Sequence, residues 1–361
     1  MLGRYLEAAG GDHEVLVLSN GECPDYFRSL GVPVTELGTL DAASGATRSL
    51  GAGAALRGAA TTATGLPSVA GAIRRSSQRV VITNSMKAHV LVPPIARALR
   101  RRTGIRLHDV IDADTTSATG RRLLATSARL AVSTACVSGA TAAAARAAGL
   151  PRVTSFPNGV DVDGPGPGPA PQPPLRLLAV SQLARWKGVH LVLEAAATAA
   201  GQGVDLELDV LGAPLFGDED YARELRELSA RLGIAERVRW HGHADPAPLM
   251  RDAHLFVHLP VSPDPLPTVL LEALGHGLPV VASATGGIPE IVDDGTSGAL
   301  VPTGDAAAAA AALVRLAEPA AREPLRVGAL AAARARFSVD AYVRNFDRWI
   351  AALSEPRAVA A

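Results

Sequence analysis

Short β-branched apolar runs alternate along the chain with longer Ala/Leu/Arg-rich stretches of helical periodicity. In the first half the runs are Glu14–Ser19, Arg79–Thr83, Gly104–Leu107 and Ala135–Ser138. In the second they are Leu175–Ser181, Leu206–Leu211, Val238–His241, Leu255–His258, Pro279–Ala282 and Gly298–Val301. Strands that read as continuous apolar runs are buried on both faces, and their alternation with helices builds parallel sheets. Both halves are therefore expected to be doubly wound, Rossmann-like α/β domains. Ligands of such sheets sit beyond the carboxyl ends of the strands, and two facing domains make a cleft there. The seam is Gly164 to Pro174, where proline removes backbone donors and glycine resists order. This gives a first domain over 1–163, a linker over 164–174, a second domain over 175–340 and a tail from 341 to 361. In the tail, Tyr342, Phe346 and Trp349 fall on one apolar face of a helix over Ala341–Leu353.

Two segments depart from this pattern. Ala42 to Ile73 is rich in Ala, Gly, Ser and Thr and contains Gly51-x-Gly53. A dinucleotide fingerprint needs a third glycine three residues on and a strand just before. Leu56 stands at that position and no strand precedes, so a loosely packed helix pair or a loop is expected. The other departure is the start. A doubly wound domain opens with a strand, a glycine-rich turn and a helix. Here Leu2–Ala9 already has helical character, Gly10–Gly11 cap it, and Val15–Leu18 is the strand that follows. One central strand and its turn, about 15 to 25 residues, are expected to be missing from the first domain. A start upstream of Met1 is the corresponding expectation, with 361 residues a lower bound and imperfect folding at the centre of this domain.

Composition narrows the class. The chain carries 35 Lys+Arg and 35 Asp+Glu, which removes global attraction to nucleic acid or an anionic membrane. At 48% hydrophobic and 19% charged it can bury a sizeable core, and with 4% aromatics that core must be built from Ala, Val and Leu. Cys23 and Cys136 lie far apart with no CxxC, which argues against a disulfide framework or structural zinc and fits a reducing cytoplasm. No apolar stretch approaches the roughly 20 residues of a spanning helix, and the opening residues lack the apolar core of a signal peptide. A soluble cytoplasmic protein is expected.

The chemistry concentrates between Leu255 and Asp305. Asp264 is followed eight positions later by Glu272, with Pro265-Leu266-Pro267-Thr268 opening a helix from Val269. Pro267 suits a first helical position, and Gly275, Gly277 and Pro279 stop the helix. The N–H groups of the opening turn and the helix dipole make an anion site suited to phosphate. Glu272, over a turn in, can take paired hydroxyls such as those of a ribose, and Asp264 can face a sugar attached to that phosphate. The spacing alone fits equally well a capped buried helix with two surface acids. A second piece is Ser181-Gln182-Leu183-Ala184-Arg185-Trp186-Lys187-Gly188, directly after a strand and before the helix His190–Ala200. Lys187 is there placed to face a diphosphate.

From Asn158-Gly159-Val160-Asp161 through Lys187-Gly188, Leu211-Gly212-Ala213-Pro214, His241-Gly242-His243, Asp264 to Glu272, Gly277 to Ala282, and Gly286 to Val292, the second half resembles the nucleotide-sugar-binding domain of family 4 retaining glycosyltransferases. These have the two-Rossmann GT-B fold. The resemblance covers about 150 to 305; the first half matches only in pattern. It implies that Lys187 contacts the donor diphosphate, Glu272 the ribose, Asp264 the hydroxyls of the transferred sugar, and the backbone stretch Leu266–Val269, with Pro267 and Thr268 within it, the distal phosphate. The loops carrying Gly212 and His243 would flank the base. His108, in Arg106-Leu107-His108-Asp109, resembles the histidine that faces the donor sugar, its alternative being a strand-end histidine satisfied by Asp109. The tail helix would cross back onto the first domain. Three departures stand out: Asp264 where the family commonly has Glu, Ser181-Gln182 where it has Gly-Arg, and the absent first strand. Gln182 leaves one diphosphate cation missing unless Arg185 supplies it, at roughly 1.5 to 3 kcal/mol of donor affinity. The implied reaction is retaining transfer from a nucleoside diphosphate sugar to a glycan, lipid-linked or small-molecule acceptor, with no metal and no other cofactor. No carboxylate nucleophile of the hydrolytic kind is identifiable, so stabilisation of the leaving phosphate by Lys187 and the helix dipole would dominate.

Rival features are fewer. Asp112-x-Asp114, Asp161-x-Asp163 and Asp218-x-Asp220 have the form of metal-bridged diphosphate sites, and His241-x-His243 and His254-x3-His258 that of metal pairs; chance loop acids and strand-end histidines are the alternatives. Arg97, Arg100, Arg101, Arg102 and Arg106 could dock the first domain on anionic lipid or form a solvated helix end. Two other functions are carried as alternatives: a GT-B-fold nucleotide-sugar epimerase and a binding-only relative.

Overall fold

Apolar runs too short for helices pair here as parallel strands, and the helical stretches between them cover both faces. The structure is a computed structural model and describes residues 2–10, 12–18, 23–37, 65–113, 115–162, 174–215 and 218–355. The chain divides into two units, Met1–Phe156 with Tyr342–Ala361, and Pro157–Ala341.

The first unit comprises α1 (Leu2–Ala9), β1 (Val15–Val17), α2 (Cys23–Ser29), β2 (Val34–Glu36), α3 (65–75), β3 (Val80–Thr83), α4 (Met86–Ala98), β4 (Arg102–Leu107), α5 (Ala118–Ala128), β5 (Ser133–Cys136), α6 (Gly139–Ala147) and β6 (Val153–Ser155). β1 and β2 form one parallel pair, and β3-β4-β5-β6 form a separate parallel sheet. The chain thus opens with a helix and a strand as expected. The second unit comprises β7 (Leu175–Val180), α7 (Val189–Gly201), β8 (Leu206–Leu211), α8 (Glu219–Arg231), β9 (Val238–Gly242), α9 (Ala247–Asp252), β10 (Leu255–His258), α10 (Thr268–Gly275), β11 (Val280–Ser283), β12 (Gly298–Val301), α11 (Ala306–Ala317) and α12 (Pro319–Ala332). Its parallel sheet has the order β12-β11-β10-β7-β8-β9. α13 (Val339–Ser354) closes the chain, and its residues from Tyr342 belong to the first unit.

The passage between the units falls at Phe156–Pro157, ahead of the proline/glycine run. Two backbone bonds tie the intervening segment to the second unit: Val160 N–H donates to Phe337 O (2.8 Å) and Val339 N–H to Val160 O (3.1 Å). Of the expected linker only Pro174 is described; Gly51-x-Gly53, Leu56, Asp114 and Asp163 also lie outside the described residues. The last part of the Ala42–Ile73 segment is α3.

The second core is aliphatic, as the composition requires, with Leu177, Leu193, Leu206, Leu208 and Leu313 fully buried. Five aromatic residues gather in the first unit. Tyr5, Phe156, Tyr342, Phe346 and Trp349 pack as one buried cluster, with Phe346 and Trp349 edge to face at 5.5 Å between centroids. Arg106 projects from β4 into this cluster. Its guanidinium donates to Cys136 O (2.9 Å) and Phe156 O (3.0 Å) and lies 4.0 Å from the Phe156 ring centre. Burial pushes it down to about 10. This overturns the place of Arg106 in a lipid-facing basic run: the residue is wholly buried. Arg101 donates to Ser76 O and Arg102 to Leu353 O, while Arg97 and Arg100 remain exposed.

Trp349 anchors α13 through Phe346 and Phe156 and donates from Nε1 to Ser133 Oγ (3.3 Å). Trp349→Ala is expected to destabilise the first unit by about 3–5 kcal/mol, measured by guanidinium chloride unfolding; a loss below about 1 kcal/mol would refute that role for the tail helix.

Candidate functional site

In the second unit β7 is followed by β8 and β9 on one side of the sheet, and the chain then returns to place β10 on the other. The strand order reverses between β7 and β10. In open α/β sheets the crevice at such a reversal, beyond the carboxyl ends of the strands, is where ligands bind. The loops leaving these two strands carry Lys187 and Asp264.

Lys187 ends a 3₁₀ turn, Arg185–Lys187, that leads into α7. Gly188 makes the junction at φ 67°, and a Cβ there would lie 1.8 Å from Leu259 O. Only glycine lets this turn press against the chain leaving β10. On the other side, Asp264 is held by its backbone: Gly287 N–H donates to Asp264 O (2.8 Å), and Gly286, at φ 58°, would bring a Cβ within 2.2 Å of that same oxygen. Held in this way, Lys187 Nζ reaches Asp264 Oδ2 at 2.6 Å, with side chains only 16% and 6% exposed. Lys187 Nζ also lies 4.1 Å from the centre of the Trp186 ring. His258, the last residue of β10 and fully buried, places Nε2 3.5 Å from the same Oδ2. Burial pushes the Asp264 carboxyl up, but His258 and the Lys187 ammonium outweigh it and hold it below the usual carboxylate range. His258 is held down by burial, against the raising effect of Asp264. The cluster is therefore a carboxylate, an ammonium and a neutral imidazole.

α10 begins three residues after Leu266 Cα's predecessor Pro265, at Thr268, with Pro267 as the residue before the first helical turn rather than within it. Pro267 has φ −63° and ψ 106°, an extended ψ that keeps it outside the helix. Leu266 and Pro267 are buried, and Thr268, Val269 and Glu272 are half-buried. The N–H groups of a first helical turn have no partner within their helix. The sequence-predicted Lys187, Asp264 and α10 opening thus come together at one edge of the sheet.

Other predicted residues are engaged elsewhere. Arg185 forms a salt bridge with Glu224 at 2.5 Å and lies 5.1 Å from the Tyr221 ring centre. Gln182 Nε2 donates to Asp218 Oδ2 at 3.4 Å. Gly212 follows β8 and donates to Gly242 O (2.7 Å), while His243 is exposed. His241 pairs with Asp209 (2.6 Å), and His254 Nδ1 accepts from Arg176 N–H (3.0 Å). Among the described residues no group of three or more His, Cys, Asp and Glu is placed to hold a metal ion.

His108 lies in the first unit at the end of β4. Its Nε2 meets Asn84 Oδ1 at 2.8 Å, so the partner is Asn84 and not Asp109. Burial and the neighbouring Arg106 charge push His108 down to about 4. His89, buried in α4, bonds Thr83 Oγ1 through Nδ1 (2.7 Å) and is pushed down to about 3 by burial and by His108. The sequence singled out His258 only as half of a metal pair. Its position six residues before Asp264, at the end of an apolar strand, was the signal of its role.

Two Rossmann-like units, the second with a buried lysine–carboxylate pair at its strand reversal, define a GT-B glycosyltransferase fold. The second unit is more specific: residues 174–319 match the family described as glycosyl transferases group 1. Among curated relatives, the amylovoran biosynthesis glycosyltransferase AmsK of Erwinia amylovora is 33% identical over 153 residues, 40% of this chain and 36% of that protein. The D-inositol 3-phosphate glycosyltransferase of Streptomyces griseus is 40% identical over 153 residues, 41% and 32% of the two chains. The match spans about a third of these relatives' length. Among solved structures, Anabaena Alr3699/HepE in complex with UDP aligns over 97% of this chain and 94% of its own, with a TM-score of 0.80 at 23% identity. The likeness of fold therefore extends across both units.

The buried histidines give the protein a pH dependence. His89 at about 3 and His254 at about 4, both lowered chiefly by burial, stay neutral where the unfolded chain takes up a proton near 6.5. Their stabilisation is complete above that value and declines as the pH falls towards the folded values; the depressed Asp264 acts in the same direction only below about pH 4. From pH 7 to pH 5 each of the two histidines is expected to remove about 2 kcal/mol of stability. A guanidinium chloride midpoint unchanged over this interval would contradict it.

Proposed function

We propose that this protein transfers a glycosyl group from a nucleoside diphosphate sugar to a glycan, lipid-linked or small-molecule acceptor, with retention at the anomeric carbon. The observation that carries this is the Lys187–Asp264 pair at the β7/β10 reversal, beside the start of α10, in a stretch that matches the glycosyl transferases group 1 family. Each part has a task. The donor diphosphate takes Lys187 as counter-ion, and the N–H groups of the α10 opening donate to the oxygens of the distal phosphate. Asp264, held ionised, then has its oxygens available to sugar hydroxyls. Glu272, one turn into α10, takes the ribose hydroxyls, and the loops with Gly212 and His243 border the base.

In this scheme the bond from the anomeric carbon to the diphosphate oxygen breaks as negative charge grows on the leaving phosphate. Lys187 and the helix terminus meet that charge in a site already shielded from water, where such stabilisation is strongest. No metal enters the step. The acceptor oxygen forms its bond on the face the phosphate leaves, and the acceptor proton passes towards the departing phosphate, which yields retention. Arg185 is bound to Glu224, and the Gln182 position offers no charge, so of these three side chains Lys187 is the one that brings positive charge to the diphosphate, alongside the α10 opening. Support for transfer over epimerisation comes from the family match. No helix among the described residues is long and apolar enough to cross a membrane; we place the reaction in the cytoplasm, with any lipid contact narrowed to Arg97 and Arg100.

UDP-sugars are the first donors to test, because the Anabaena relative is seen with UDP. A donor at 100-fold its Kd is expected to add about 2.7 kcal/mol of stability, read as a thermal shift. Lys187→Ala is expected to abolish that shift while remaining folded; a shift equal to that of the parent chain would remove the diphosphate clamp. With a competent acceptor, NMR of the product should show the donor's anomeric configuration.

A further inference from the structure

Asp264 Oδ2 is shared by two nitrogen groups, Lys187 Nζ at 2.6 Å and His258 Nε2 at 3.5 Å. The three side chains differ in freedom. His258 ends β10 with its backbone paired to Ala282 of β11, and its side chain is 2% exposed. Asp264 is gripped through its backbone by Gly287 N–H and is also buried. Lys187 carries its charge on a long flexible stem and is the most exposed of the three. It can turn to an arriving anion while the other two stay in place. The donor diphosphate proposed above is such an anion.

Resting on that reading of the site, we propose that His258 replaces Lys187 as the counter-ion of Asp264 when the diphosphate draws the ammonium away, so that each donor bound brings one proton onto the imidazole. With Nε2–H towards the carboxylate, the incoming proton is bonded at Nδ1 and comes from the buffer acid. The reason is the cost of a buried charge without a partner. A buried carboxylate that loses its ammonium must gain another cation or be protonated itself, and His258 already stands beside it. In the resting pair burial and the Lys187 charge keep the ring neutral, while Asp264 pulls the other way. Moving the ammonium onto an anion removes the repulsion and leaves the pull. Other titratable groups on the elements around β10 have partners of their own. His190 of α7 meets Tyr221 Oη, and His276 of α10 meets the Glu272 carbonyl. Glu194 of α7 and Arg176 of β7 act on His190 and His254, α10 also carries Glu272, and β11 has no titratable side chain. His258 is on this account a positioning residue: it keeps Asp264 ionised and in place for sugar hydroxyls after Lys187 has turned away.

The test is calorimetry of the full chain with UDP-glucose, whose diphosphate does not titrate near neutral pH. Titrations at about pH 7 in PIPES and in Tris, which differ in heat of ionisation, give the protons taken up per donor bound. Between about a half and one proton is expected, and the Kd should weaken roughly three- to tenfold from about pH 7 to about pH 8. His258→Gln keeps a hydrogen-bond donor towards Asp264 but cannot become charged; it should bind with uptake near zero and a Kd that is flat over the same interval. A second readout needs no donor. In Lys187→Ala the His258 ring, followed by NMR of isotope-labelled histidine, should gain its proton at a pH at least about one unit above that of the parent chain. Binding of UDP-glucose without proton uptake would overturn the proposal and leave the donor site standing. Uptake undiminished in His258→Gln would put the proton on Asp264 and overturn it, as would a His258 ring unchanged in Lys187→Ala. No binding of UDP-glucose to the full chain would overturn it together with the donor reading.

Discussion

The close contact of Lys187 with Asp264 is the constraint on which the second unit's architecture turns. Removing two charges from water is costly, and the attraction between them repays it only when the geometry is held. Here it is held by backbone. Gly188 lets the loop after β7 approach Leu259 O, and Gly286 with Gly287 grips Asp264 from the loop after β11. Three loops from adjacent strands are thereby fixed around Asp264. The pair is a poor device for stability alone, because an apolar replacement would avoid the desolvation. Under the proposed function it is a site in which an arriving anion exchanges with the carboxylate as partner of the ammonium. His258 fits that logic by remaining uncharged, so the cluster keeps no excess charge before the anion arrives.

The two units solve the problem of a core differently. The second is filled by aliphatic side chains from a six-stranded sheet and its helices, with α11 and α7 packed on it. The first has thinner sheets and draws its large side chains from the tail. Tyr342, Phe346 and Trp349 from α13 meet Tyr5 and Phe156, and Tyr5 Oη donates to Asp347 Oδ1 at 2.7 Å. Arg106 is tolerated inside that cluster because it donates to the backbone carbonyls of Cys136 and Phe156 and an aromatic face lies beneath its guanidinium. Five of the chain's thirteen aromatics are thereby placed where α13 packs on the first unit.

Much of this was legible in the chain, and the exceptions have physical causes. The six strands of the second unit were readable because burial on both faces leaves unbroken apolar runs such as Leu206–Leu211 and Leu255–His258. β2 and β6 were not: Val34-Thr35-Glu36 and Val153-Thr154-Ser155 are three-residue edge strands whose outer residues are exposed, so they carry no apolar run. Lys187, Asp264 and α10 were readable as a set because each lies just after an obvious strand. The engagement of Arg185 by Glu224 was not, since it depends on α8 coming alongside the 3₁₀ turn. Arg106 misled in the opposite sense. Its neighbours in sequence are surface arginines, but alternation along β4 turns its side chain inward.

The same alternation sets the chemistry available to His108, two residues beyond Arg106. With Asn84 Oδ1 as acceptor, Nε2 of His108 carries the hydrogen and Nδ1 keeps its lone pair. The buried Arg106 charge and the shortage of water around the ring both oppose a second proton, and His89 behind it is also kept neutral by burial. At neutral pH the end of β4 therefore presents an uncharged hydrogen-bonding imidazole. Any part it plays towards a substrate is one of orientation and hydrogen bonding; in the proposed transfer, the positive charge that a departing phosphate requires is assigned to Lys187 and the start of α10 in the second unit.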